Sequence, residues 1–208
     1  MAASAQRTID RWPVSARIIK EIRRSLGEKQ TDQVRGRAVA RLEALMRENA
    51  REPEAVRAHT FGSIYPSIAL YEALRTIMSR EAAEDYFRKQ FHAITAKSAP
   101  VLRAILRLPG LHRRMPRFAC RMLVTRYGTE AGFAYDILRD DAEAMQVDML
   151  RCPYHEACGR YGCPEITSVF CEADDIVYGG MHPKLLWGRT KTLGKGDDRC
   201  DFNISIKP

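Results

Sequence analysis

EAMQVDMLR, residues 143–151, sets Met145, Val147 and Met149 in alternation with Gln146 and Asp148. Successive side chains of a strand point to opposite faces, so a period of two describes a strand with one face buried. DFNISI, residues 201–206, repeats the device: Phe202, Ile204 and Ile206 fall on one face, Asp201, Asn203 and Ser205 on the other. KLLWGRTKTL (184–193) supplies a partner strand, and the following Gly194-Lys195-Gly196-Asp197-Asp198 is rich in turn formers. These segments predict an antiparallel sheet with helices between its strands.

Before residue 143 the period is helical. Trp12-Pro13 opens a helix to Leu26, with Gly27 as its stop, and a second runs from Glu28 to Asn49 with Val34, Ala38, Leu42 and Leu45 on one face. Pro66 starts a helix carrying Ile68, Tyr71, Leu74 and Met78, and Ser79 caps another that buries Ala83, Phe87, Phe91 and Ile94. Leu108-Pro109-Gly110 breaks the pattern before a helix over 112–126. The fold class is α+β: a helical segment, 1–142, then a cysteine-rich segment, 143–208, expected to form one compact unit.

The two segments differ chemically. The 208-residue chain carries a net charge of +8, yet residues 143–208 hold eight Lys/Arg and ten Asp/Glu, so the excess lies upstream. Seven arginines (103, 107, 113, 114, 117, 121 and 126) and no acid lie between Ser98 and Thr129. With no recognised module and no interleaved aromatics, nucleic acid is not expected as a partner. A solvated or ligand-facing helix surface, or a membrane-surface helix using Leu102, Ile105, Leu106 and Leu108, remains open. No run is long and apolar enough for a transmembrane segment, and the N-terminus lacks a secretory h-region, so a cytoplasmic location is expected.

Five of the six cysteines lie after residue 150. A reducing compartment and a chain long enough to build a core argue against disulfides. In RCPYHEACGRYGCPEI (151–166), Cys152-Pro153 and Cys163-Pro164 each set a thiol beside a helix start, where unpaired amides and the helix dipole favour thiolate. His155 and Cys158 would share a helix face, and with Cys152 suggest a metal knuckle of no standard spacing. Downstream, FCEADD (170–175) and WGRTKTLGKGDDRCDF (187–202) surround one turn with Cys171, Asp174, Asp175, Arg189, Lys191, Asp198 and Cys200. Strand alternation puts Arg189 and Lys191 on one face, a pairing that suits a carboxylate or solvent.

The elements CPY (152–154), GCPE (162–165), FCEADD and RTKTLGKGDDRCDF (189–202) resemble the signature of the L-2-amino-thiazoline-4-carboxylic acid hydrolase family of bacterial proteins. The helix from Tyr65 to Arg75 and the break at Leu108-Pro109-Gly110 agree more loosely, so the resemblance spans roughly residues 15–206. It implies a hydrolase that opens a small carboxylate-bearing cyclic amidine. The family's cysteines correspond to Cys152, Cys171 and Cys200; Cys158, Cys163 and His155 are not fixed parts of its pattern.

Two mechanisms fit. A Cys152 or Cys171 thiolate attacks while Asp175 or His155 moves protons and Arg189, Lys191, Asp198 and Tyr71 bind substrate. Alternatively Cys152, Cys171 and Cys200 hold Zn, which activates water or serves a structural role. The C-terminal layout is also similar to vinyl reductase-like small-molecule sensor domains, so a binding module without turnover is the competing class.

Overall fold

Pro13 and Gly27 bracket the second helix of the computed structural model, which describes residues 2–208. The chain forms two compact units, one running to Ile94 and the other from Thr95 to Pro208.

In the first unit, α1 (Ala2–Arg11) and α2 (Pro13–Leu26) both pack on α3 (Glu28–Glu48). The stripe Val34, Ala38, Leu42 and Leu45 of α3 is fully buried, as its helical spacing requires. The next helical run begins earlier than Pro66. It starts as α4 (Glu54–His59), passes through a π turn at Thr60–Ile64 and continues as α5 (Tyr65–Leu74). Proline has no N–H to donate and its ring clashes with the carbonyl four residues back, and the wider π turn just before Pro66 relieves both. α5 ends at Leu74, so Met78 lies in the turn beyond it. Ser79 caps α6 (Arg80–Thr95), its hydroxyl accepting from the Ala82 amide at 3.2 Å. Ala83, Phe87 and Phe91 are buried, while Ile94 is half-buried.

The second unit begins with α7 (Ser98–Leu106); a 3₁₀ turn at Leu111–Arg114 after the Pro109-Gly110 break leads into α8 (Met115–Arg126). The arginine-rich helices therefore lie in the same unit as the sheet, and residue 143 falls in a hairpin turn inside it. That hairpin joins β1 (Ala134–Asp140), a strand the sequence reading did not anticipate, to β2 (Ala144–Arg151). β1 is an edge strand whose centre is exposed on both faces, so it shows no alternation. After β2 come α9 (Pro153–Arg160) and α10 (Glu165–Tyr178), then β3 (Leu185–Gly188) and β4 (Cys200–Ile206).

The sheet order is β1-β2-β4-β3, antiparallel throughout. Its register sets Met145, Val147 and Met149 opposite Ile204, Phe202 and Cys200. α8 packs on β2 and β4, and Met145, Val147, Met149, Cys200 and Ile204 are buried while Gln146, Asp148, Asp201 and Asn203 stay half-exposed. The α+β class follows directly from these two periods.

Because Leu42 is fully buried on the face α3 turns inward, Leu42→Ala should lower the unfolding free energy by about 3 kcal/mol in chemical denaturation, the usual cost of emptying such a site.

Candidate active site

Cys152 is the residue before α9, in extended backbone (φ −136°, ψ 117°), with Pro153 at the first helical position. This is the cap the Cys-Pro pair predicts, but its chemistry differs from the expectation. No cap hydrogen bond closes, and burial pushes the thiol up to about 11, even though the amides of His155 and Tyr154 favour the anion. α9 ends at Arg160, and Gly162 just beyond it takes a φ of +68°, open to glycine but strained for other residues. The Cys163 amide then donates to the Cys158 carbonyl at 2.9 Å, and both thiols are fully buried. Cys158 is pushed far up by its hydrogen bond with Cys163 and by burial, and the pair reads as packing.

α10 carries the chemistry along one stripe. Thr167, Cys171, Asp174 and Tyr178 are spaced by four, three and four residues, the period of a single helix face. Burial pushes Cys171 up to about 12, with Cys200 and Cys152 adding to the rise and Arg189 opposing it. Asp174 is pushed up to about 7: desolvation by the surrounding protein outweighs the nearby Arg189 guanidinium. Its side chain is nevertheless 42% accessible. Asp174 is thus open to solvent on one side and closely surrounded by protein on the other. Around it Tyr127, Tyr178, Cys152, Cys171 and Cys200 all feel its charge.

Asp175, one residue on, points elsewhere. It accepts from Trp187 Nε1 at 2.9 Å and from Arg189 Nη2 at 2.7 Å, which fixes it as an anchor between α10 and β3. Arg189 is the counterpart. Its side chain is only 3% exposed, Nη2 also donates to the Cys171 carbonyl at 2.9 Å, and its guanidinium lies 5.6 Å from the Phe202 ring. Nη1 is buried with no hydrogen-bond partner and stands 3.6 Å from Asp174 Oδ2. One donor of a buried cation is thus ion-paired with Asp174 but left without a hydrogen bond.

The expected strand over 184–193 stops at Gly188. From Thr190 the backbone is claimed by Asp201, whose carboxylate accepts from the Thr190 amide at 2.8 Å, the Thr190 hydroxyl and the Lys191 amide. Asp197 accepts from the Thr192 amide at 2.7 Å and closes a 3₁₀ turn at Leu193–Lys195. That turn brings Gly194 against α10, where an added Cβ would lie 2.9 Å from Thr167 Cγ2 and 3.1 Å from Cys171 Sγ. The Leu193 amide meanwhile donates to Cys200 Sγ at 3.3 Å. Burial also raises the Cys200 thiol, against the pull of that amide and Arg189.

Arg189 and Lys191 therefore do not share a face: Arg189 turns inward, and Lys191 pairs with Asp198 at 2.9 Å on the surface. Asp198 also holds Arg199 at 2.6 Å. Tyr71 lies in the first unit, fully buried against Phe87 with the Arg75 guanidinium over its ring. His155 is half-buried on α9, and its Nδ1 has no hydrogen-bond partner. Cys152, Cys171 and Cys200 each lie within electrostatic reach of Asp174. Among the described residues, no three His, Cys, Asp or Glu side chains are arranged to hold a metal ion.

The sequence presents Asp174 only as one of several chemistry-bearing residues around a turn. Counting α10 by helical spacing from Cys171, rather than as the run FCEADD, separates it from Asp175. Tyr127 and Tyr178 carry no comparable signal.

A family model described as L-2-amino-thiazoline-4-carboxylic acid hydrolase matches residues 57–204, most of the chain. No curated protein matches it.

Gly194→Ala should destabilise the protein by about 1–3 kcal/mol, the cost of overpacking a close contact, and should expose Cys171 to thiol reagents that react slowly with the native protein. Asp174 binds its proton more tightly in the folded state than its ordinary value of 3.8 allows when unfolded. Its contribution to stability is therefore full below about pH 4 and is lost as pH rises through about 7. Asp174→Asn should gain melting temperature relative to the parent at pH 8, and should lose that advantage at pH 5.

Proposed function

The chain belongs to the L-2-amino-thiazoline-4-carboxylic acid hydrolase family, an enzyme family of hydrolase type, and on that premise we propose that it opens a small carboxylate-bearing cyclic amidine beside Asp174. The observation that carries this reading is the pairing of a carboxylate poised near neutrality with the Nη1 of a buried arginine, which makes no hydrogen bond and stands 3.6 Å from that carboxylate, beside three thiols that feel the carboxylate's charge. A substrate carboxylate suits Nη1, because a buried donor gains most from a charged acceptor. The substrate ring then lies toward Asp174 and the cysteines.

Cys152 is the nucleophile of choice, since the amides of Tyr154 and His155 already favour its anion. At neutral pH it rests as a thiol, so attack requires a base. Asp174 takes the thiol proton as sulfur adds to the carbon between ring nitrogen and ring sulfur. One ring bond to that carbon breaks, and Asp174 returns the proton to the leaving atom. Water then adds to the enzyme-bound carbon, its proton passes through Asp174, and Cys152 leaves as a thiol. The net change is the addition of one water. A carboxylate with a value near the working pH is the best compromise between accepting and returning a proton.

The test is turnover of 2-amino-thiazoline-4-carboxylate followed by mass, with thiol release reporting carbon–sulfur rather than carbon–nitrogen cleavage. Activity should rise with pH through about 7 as Asp174 deprotonates. Asp174→Asn should lower kcat by about 100-fold or more with little change in KM, the usual loss on removing a positioned base. Full activity in that variant, or a flat profile between pH 5.5 and 8.5, would overturn the assignment.

A further inference from the structure

The arginine-rich helices reach the neighbourhood of the site only at their edges, where Arg126 acts on Tyr127 and Arg103 donates to the Gly179 carbonyl at 3.2 Å. All seven arginines from Arg103 to Arg126 are exposed, and Arg107, Arg113, Arg114, Arg117 and Arg121 have no acidic partner among the described residues. Unpaired charge on this scale is ordinary for a solvated helix only when the neighbouring surface is polar. Here it is not. Val101, Ile105 and Leu108, spaced by four and three residues along α7 and its final turn, are 59%, 48% and 56% exposed. On α8, Phe118 is 57% exposed and stands one turn from both Arg114 and Arg121. The positive surface also extends beyond the helices. His112 stacks on His182 at 4.5 Å, and His182 feels both Arg107 and the exposed Lys184.

We propose that α7 and α8 form a docking surface for an anionic phospholipid membrane, with Val101, Ile105, Leu108 and Phe118 entering the acyl boundary and the arginines meeting phosphate headgroups. Charge complementarity selects this occupant: a surface with seven arginines and no acid over 98–129 fits anionic lipid, and its interleaved aliphatic side chains need an apolar phase that a polyanion in water lacks. Nucleic acid would instead use stacking platforms, and Phe118 is the one aromatic exposed on these helices. Long arginine side chains can lie along the interface while their guanidinium groups stay wet. The membrane contact is peripheral, since no helix among the described residues is long and apolar enough to cross a bilayer.

The experiment is co-sedimentation of the full chain with vesicles of phosphatidylcholine alone and of phosphatidylcholine with about 30% phosphatidylglycerol, at about 0.15 M salt. The protein should sediment with the anionic vesicles and remain in solution with the neutral ones. The double variant Ile105→Glu, Leu108→Glu should partition about tenfold less well, and Arg113→Glu with Arg117→Glu should do the same. Both variants should keep the parent circular dichroism and any thiazoline turnover, since these side chains lie outside the site. No binding to anionic vesicles would overturn the proposal, as would binding indifferent to both pairs of substitutions. Tighter binding to duplex DNA than to vesicles at the same salt would assign the patch to nucleic acid and overturn it equally.

Discussion

A guanidinium with 3% side-chain exposure has to be compensated or it would not stay charged and buried, and the geometry of the second unit follows from how Arg189 is compensated. Asp175 and the Cys171 carbonyl take Nη2, the Phe202 ring lies against the guanidinium, and Asp174 stands beside Nη1. These partners come from α10 and β4, while Arg189 itself directly follows β3. One buried cation therefore fixes a helix to two strands, and does so beside Cys171 and Asp174. Its Nη1 is the donor that the fold leaves without a hydrogen bond.

The loop between β3 and β4 answers a second constraint. Asp148 and Asp201 face each other across β2 and β4, an arrangement that repels unless each charge is met separately. Arg199 meets Asp148 at 3.0 Å, and the amides of Thr190 and Lys191 meet Asp201. Those bonds pull residues 190 and 191 out of the sheet and aim the following turn at α10. Gly194 can then touch Thr167 and Cys171, and Leu193 can donate to Cys200. The aspartates of the motif shape the loop, and the loop brings the thiols to the site.

Electrostatically, the site works against its cysteines and in favour of one carboxylate. A helix cap lowers a thiol only where solvent still supports the charge, and the burial of Cys152 reverses the sign. The same low-polarity surroundings lift Asp174 into the range where a carboxylate exchanges protons near neutrality. At rest the site thus holds three neutral thiols around one titrating acid.

Periodicity made most of the elements readable: the α3 stripe, the Ser79 cap, the break at Pro109-Gly110 and the alternating strands β2 and β4 are all local patterns. β1 escaped because an exposed edge strand has no buried face to write into its sequence. The helical start at Glu54 escaped because a π turn let a proline sit inside a continuous run. The resemblance to the family singles out Cys152, Cys171 and Cys200 as an expected set. The separate fates of Asp174 and Asp175, and of Arg189 and Lys191, were not legible. By itself the sequence determined the element types and the residues able to do chemistry, because spacing along a chain dictates which side chains share a face. The tertiary structure alone decided that Asp174 is desolvated while Asp175 is locked to Trp187 and Arg189, and that Arg189 is buried with Nη1 left without a hydrogen bond. Burial and opposing charge come from segments far apart in sequence, and no local pattern encodes them.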